Sequence, residues 1–209
     1  MILIGQYDSP FVRRVGIALH VYGIVYEHRA WSTFGDADKI APFNPLRRVP
    51  TLVLDDGEVA IESSAILDCL DEMVGPARAM MAVGGLERRQ ALKICALGSG
   101  LADKAVGLVY ERVLHDAVSE IWIDRCRTQI AGVLDVLDKD RAARTSAFWF
   151  GDGVGHADAM VACALRFLTD AHPGLFDPER WPALAGHAMR CEGLAAFRAV
   201  FQAFDPPRD

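Results

Sequence analysis

The stretch Ser9-Pro10-Phe11-Val12-Arg13-Arg14-Val15, running on through Ile17-Ala18-Leu19 to Gly23, decides how the front of the chain folds. Ser9 can offer its oxygen to the N–H groups that a helix start leaves unpaired, and Pro10 brings a preset φ with no N–H to satisfy. Val12, Val15, Ile17, Leu19 and Val21 supply the apolar positions, and Gly23 marks the stop. Ile2-Leu3-Ile4 just before the helix reads as a short apolar strand, and Ile24-Val25-Tyr26-Glu27-His28 just after it as a second. Beyond a polar, glycine-containing stretch from Trp31 to Pro45, Thr51-Leu52-Val53-Leu54 and Glu58-Val59-Ala60-Ile61 flank Asp55-Asp56-Gly57, a hairpin signature. Residues 63–73 predict an amphipathic helix ended by Gly75-Pro76. The order is βαβ, a loop, then ββα.

Past residues 80–85 the strand signals vanish. Helical patterns cover 86–115, 121–137, 181–190 and 194–204, and 158–168 is nearly all apolar, as a buried central helix would be. Pro206-Pro207 close the tail. The expected organisation is an α/β domain over 1–79, a linker over 80–85 and an all-helical domain over 86–209. Of the 209 residues 52% are hydrophobic, enough for two cores. A net charge of -6 argues against a nucleic-acid or anionic-membrane surface. No apolar run is long enough for a transmembrane helix, and the opening residues lack the basic start of a signal peptide, so a cytoplasmic location is expected. Cys69, Cys95, Cys126, Cys163 and Cys191 are scattered, without a CxxC, as reduced buried thiols would be. The six histidines form no zinc-type spacing, so no metal is expected.

Three motifs carry a family resemblance: the Ser9-Pro10-Phe11 stretch, Asn44-Pro45-Leu46-Arg47-Arg48-Val49-Pro50-Thr51-Leu52, and Glu62-Ser63-Ser64-Ala65-Ile66. Together, in this order and spacing, they resemble the cytosolic glutathione transferases, in the serine-type form. The resemblance covers the front domain closely and the helical half by pattern. It implies a thioredoxin-like domain followed by a helical one, a homodimer, and glutathione bound in a cleft beside a pocket for a hydrophobic electrophile.

The resemblance also implies roles for particular residues. Ser9 would donate a hydrogen bond to the glutathione sulfur at a helix N-terminus, although helix capping alone would explain a Ser-Pro start. Tyr7 is the competing hydroxyl, because other branches of the family use a tyrosine just after the first strand. No cysteine stands at position 9, which argues against the thiol–disulfide branches. Val49-Pro50 looks like the family's cis pair, which turns the Val49 backbone toward the cysteinyl unit of glutathione. Glu62 and Ser63, opening a helix, would hold the γ-glutamyl amine and carboxylate. Among Lys39, Arg47 and Arg48, Arg48 is the choice for the glycyl carboxylate. Phe11, Phe34 and Tyr110 would line the second-substrate pocket, with Phe11 also beside glutathione.

The sequence departs from the family pattern at two places. Gly16 stands where a second arginine is usual, and Gly155 replaces the hydroxyl residue in Gly155-His156-Ala157-Asp158, removing half of a capping box. Asp158 reads as structural, and His156, with no visible partner, as a surface residue. The expected activity is conjugation of the glutathione thiolate to a hydrophobic electrophile. Peroxidase, isomerase or dehalogenase chemistry could use the same site, and a non-catalytic interaction protein could use the same fold.

Overall fold

The computed structural model describes residues 1–206; Pro207, the second proline of the tail, lies outside them. Strands β1 (Ile2–Ile4), β2 (Glu27–Arg29), β3 (Thr51–Val53) and β4 (Val59–Ile61) form one sheet in the order β2-β1-β3-β4. β1 runs parallel to β2 and antiparallel to β3, which pairs antiparallel with β4. Helix α1 (Pro10–Tyr22) makes the crossover between the parallel strands β1 and β2. The short α2 (Ala37–Ile40) interrupts the loop before β3, and α3 (Ser63–Val74) follows the hairpin. Leu3, Val12, Val15, Ala18, Leu19, Leu52, Ile66, Leu67 and Leu70 bury together and bind α1 and α3 to the sheet. This is a thioredoxin-like unit.

The second strand is shorter than its sequence suggests. The Gly23 N–H bonds to the His20 carbonyl and the Ile24 N–H to the Leu19 carbonyl, so Ile24 still belongs to the helix end. With only three residues in β1, pairing begins at Glu27, and Val25 is left 90% exposed. Val21, counted as apolar helix surface, also faces outward at 39%.

The helical half comprises α4 (Gly85–Leu114), α5 (Glu120–Ala142), α6 (His156–Ala171), α7 (Pro182–Glu192) and α8 (Ala195–Ala199). α6 is buried almost along its whole length, as its apolar sequence requires. The last helix stops five residues before the expected 204. Arg13 explains the stop: its guanidinium donates to the carbonyls of Phe197, 3.2 Å away, and Val200, 3.3 Å away, drawing the tail onto α1. None of the described helices is long and apolar enough to cross a membrane.

His156 is not a surface residue. It is 4% exposed, and its Nε2 lies 2.9 Å from Asp71 Oδ1 on α3. Asp71 also accepts the Tyr22 hydroxyl, so one carboxylate joins α1, α3 and α6. Burial pushes the Asp71 carboxyl up, but His156, Tyr22 and the Met80 N–H outweigh it and hold it below the usual range. Gly155 likewise has a local reason. A Cβ there would meet the Met80 carbonyl oxygen at 2.9 Å, so the segment joining the halves occupies the space a serine would need. Asp158 keeps its own half of the capping, accepting the N–H groups of Gly155 and Trp149 at 2.8 Å each.

His187 in α7 is fully buried beside Cys191 Sγ and Asp158, and burial, reinforced by Arg141, depresses its pKa to about 4. The unfolded chain then takes up this proton first, near pH 6.5, so stability contributed by neutral His187 is lost as pH falls below that value. The loss between pH 7 and pH 5 should be about 2 kcal/mol. Burial of Asp8 and Asp158 raises their carboxyl pKa values and acts in the opposite sense. The measurement is therefore urea unfolding of parent and His187→Gln at both pH values. A profile equally steep in the two proteins would show that His187 is not the group responsible.

Candidate active site

Ser9 caps α1 with extended backbone angles (φ -66°, ψ 123°), and its Oγ accepts the Val12 N–H at 3.4 Å. A hydroxyl has one proton to give and two lone pairs, so this long cap bond leaves the proton free for another acceptor. The start of α1 adds partial positive charge. Ser9 is therefore equipped both to cap and to donate.

Tyr7 is engaged elsewhere. Its hydroxyl lies 2.6 Å from the Tyr26 hydroxyl, and its ring stacks on His28 with centroids 3.9 Å apart. The ring also lies close to Gly16, where an added Cβ would stand 2.8 Å from Tyr7 Cε1. Gly16, the departure from the family's arginine, is thus the seat of this ring. Burial, then the bond to Tyr26, pushes the Tyr7 phenol well above the ordinary tyrosine range. Its backbone N–H donates to Gln202 Oε1 at 2.9 Å, a tail contact that sequence reasoning missed.

Because Ile4 pairs with Thr51, Val49-Pro50 lies beside the exit of β1. The Val49–Pro50 peptide is cis. Among the described residues none bonds to the Val49 N–H or carbonyl, whereas the Arg48 carbonyl accepts Asn44 Nδ2 at 2.9 Å and the Thr51 hydroxyl at 3.1 Å. The three basic candidates differ in their charge partners. Lys39 pairs with Asp36 and Arg47 with Asp38, while the exposed Arg48 has no ion-pair partner among the described residues.

Glu62 precedes α3 with φ 69°, a left-handed backbone that costs a non-glycine residue about 1–3 kcal/mol and often marks a functional position. Its side chain is exposed, but Ser63 is completely buried. The Ser63 Oγ accepts Arg14 Nη2 at 2.7 Å and donates to Glu62 Oε1 at 3.3 Å. Arg14 was legible as part of the first motif, but nothing local in it announces a partner on α3.

On the helical side, Phe34 meets Tyr110 of α4 edge to face, with centroids 5.3 Å apart, and both rings are more than a third exposed. Phe11 is half-buried and packs instead against the core of the helical half. The structure therefore brings together two of the three expected pocket aromatics and sets the third into the domain interface.

Residues 3–78 match the family description "Glutathione S-transferase, N-terminal domain", and residues 120–188 match "Glutathione S-transferase, C-terminal domain". The "Uncharacterized GST-like protein YibF" of Escherichia coli is 35% identical over 214 residues, spanning all of both chains. The chain belongs to the glutathione S-transferase family. Membership makes it a glutathione transferase whose substrate the family does not specify. A probable maleylacetoacetate isomerase of Vibrio cholerae is 30% identical over 94% of this chain and 93% of its own. Among solved structures, a glutathione S-transferase from Methylobacterium radiotolerans, in complex with glutathione sulfonate, superposes with a TM-score of 0.91 at 27% identity. It covers 100% of this chain and 97% of its own.

Proposed function

We propose that residues 1–79 bind glutathione at the start of α1, and that its thiolate attacks a hydrophobic electrophile held against residues 86–209. The observation that carries this reading is the Ser9 hydroxyl at a helix N-terminus, whose cap bond uses a lone pair and leaves its proton unspent. A cysteine-like thiol has a pKa of about 8.5 and is mostly unreactive at neutral pH. Lowering it by about two units takes about 2.7 kcal/mol. One hydrogen bond to the thiolate, about 1.5–3 kcal/mol, with a helix-dipole contribution, is of the right size. The thiol proton goes to solvent. The sulfur lone pair then forms the S–C bond, and the leaving group departs with its bonding pair, or a double bond takes up a solvent proton.

Within this reading Val49 pairs its backbone with the cysteinyl unit, Pro50 fixes that geometry, Glu62 and Ser63 receive the γ-glutamyl end, and Arg48 the glycyl carboxylate. Phe34 and Tyr110 line the second pocket. The working form is a cytoplasmic homodimer, as the resemblance implies. Isomerase chemistry on the same site is the second reading, favoured by the Vibrio cholerae relative; there the thiolate adds to a double bond and is released again.

The test is thermal unfolding with and without glutathione, followed by turnover of a chloronitrobenzene and of a cis-enone. Saturation at about 100 Kd should stabilise by about 2.7 kcal/mol, a rise of several degrees in Tm. No shift and no heat of binding would sink the proposal, and isomerisation without conjugation would transfer it to the second reading.

A further inference from the structure

The C-terminal tail reaches the residues that lead into Ser9. Between β1 and α1 the chain turns through residues 6–9, closed by the Ser9 N–H on the Gln6 carbonyl at 3.2 Å. Two further bonds to this turn come from the other end of the chain. The Tyr7 N–H donates to Gln202 Oε1 at 2.9 Å, and Asp8 Oδ2 accepts the Asp205 N–H at 3.2 Å. These partners are 195 and 197 residues away, so no local turn chemistry requires them. An N–H can only donate, so the amide oxygen of Gln202, not its nitrogen, faces Tyr7.

The tail is fixed on both sides of Gln202. Before it, Val200 is fully buried in one cluster with Ile17 and Phe197, and Arg13 donates to its carbonyl. Arg13 is itself held by both Glu192 carboxylate oxygens at 2.7 Å. The Arg166 Cζ stands 4.6 Å over the centre of the Phe201 ring. After Gln202, the Phe204 ring meets Phe167 edge to face, with centroids 5.4 Å apart. Burial of Val200 and Phe204 would seat the tail without any polar contact to residues 7 and 8. The two bonds to the turn therefore do something that seating does not require. Ser9 stands at a boundary, with the regular α1 after it and an irregular turn before it. A catalytic group must be held to within about 0.5 Å, and loops hold it less precisely than helices do. The tail supplies the missing constraint on the turn side.

We infer that Gln202 is a positioning residue: through the Tyr7 N–H, and with Asp205 acting on Asp8, the tail aims the Ser9 hydroxyl at the glutathione sulfur. The inference rests on the proposed function and adds to it a contribution from the far end of the chain. A hydroxyl that swings off line gives a longer, bent hydrogen bond, which weakens steeply with angle. Loss of Gln202 should therefore weaken stabilisation of the thiolate and leave the hold on the rest of glutathione intact.

The experiment is ultraviolet titration of bound glutathione on the parent, Gln202→Met, Ser9→Ala and the double variant, each well below its Tm. Methionine keeps the side-chain length and removes the acceptor. Gln202→Met should raise the thiolate midpoint by about 0.5 pH unit or more and lower turnover about threefold. Glutathione affinity at acid pH, where the thiol is protonated, should change by less than about twofold. In the Ser9→Ala background the same change should move the midpoint by less than about 0.2 unit, because the hydroxyl it positions is gone. Asp205→Pro, which removes the second N–H, should raise the midpoint of the parent, whereas Asp205→Asn, which keeps that N–H and drops the charge, should not. This second pair decides the matter if Gln202→Met fails to fold. An equal shift in both backgrounds, or no shift where Ser9→Ala gives one, would overturn the inference and leave the functional reading standing. A parent that binds no glutathione, or a midpoint that Ser9→Ala leaves in place, would overturn the role of Ser9 and this inference with it.

Discussion

Ser9→Ala should lower turnover at least tenfold, a transition-state loss of about 1.4 kcal/mol or more, and raise the pH at which bound glutathione becomes thiolate. The expectation follows from the free proton on Ser9 Oγ, whose cap bond to Val12 uses only a lone pair. Tyr7→Phe should change both quantities much less. The Tyr7 hydroxyl lies 2.6 Å from that of Tyr26, and its ring is stacked on His28. Loss of the helix cap alone would destabilise Ser9→Ala by about 1 kcal/mol without moving the thiol pKa, so the two roles separate in one experiment. Ultraviolet titration of glutathione bound to the parent and to both variants reads the midpoint directly. A midpoint that moves in Tyr7→Phe and stays in place in Ser9→Ala would hand the role to the tyrosine.

The features that were legible in the sequence are those fixed by neighbours a few residues away. Ser9-Pro10 and Gly23 bound α1 because capping and a left-handed stop act within one turn, and Gly23 does take φ 66°. The 158–168 run marks α6 because no surface helix tolerates so few polar positions. The features that were not legible depend on partners far along the chain. Arg13 and Arg14 are adjacent and chemically alike, yet one meets Glu192, 179 residues on, and the other meets Ser63, 49 residues on. His156 looks solitary in sequence because its partner, Asp71, is on the other side of the domain interface. The Leu194–Phe204 pattern is helical in composition, but carbonyls at Phe197 and Val200 are claimed by Arg13 and the backbone leaves the helix. In each case tertiary hydrogen bonding overrides local propensity. The site follows the same division: its residue types were readable from the motifs, while the commitment of Tyr7 to Tyr26 and of Ser63 to Arg14 was not.

Asp158→Ala should destabilise the fold by about 2–4 kcal/mol. Asp158 is 1% exposed, and its two oxygens take the N–H groups of Trp149, in the turn before the buried α6, and of Gly155, its N-cap. Alanine leaves both donors without a partner inside the protein. Part of the cost is offset, because burial already raises the Asp158 pKa and removing a strained carboxylate relieves that penalty. Asparagine retains one acceptor oxygen but turns an NH2 group toward the other donor, so Asp158→Asn should fall between parent and alanine. Restoring the family's hydroxyl by Gly155→Ser should not rescue the alanine variant, since its Cβ would press on the Met80 carbonyl at 2.9 Å. At about 2–4 °C per kcal/mol for a chain of this size, Tm should drop by roughly 5–15 °C in Asp158→Ala. Glutathione affinity measured well below that Tm should hold, because Asp158 supports α6 and contributes no group to the start of α1. A variant that melts like the parent, or one that keeps its Tm and loses glutathione, would remove Asp158 from the scaffold and return it to the candidates for the site.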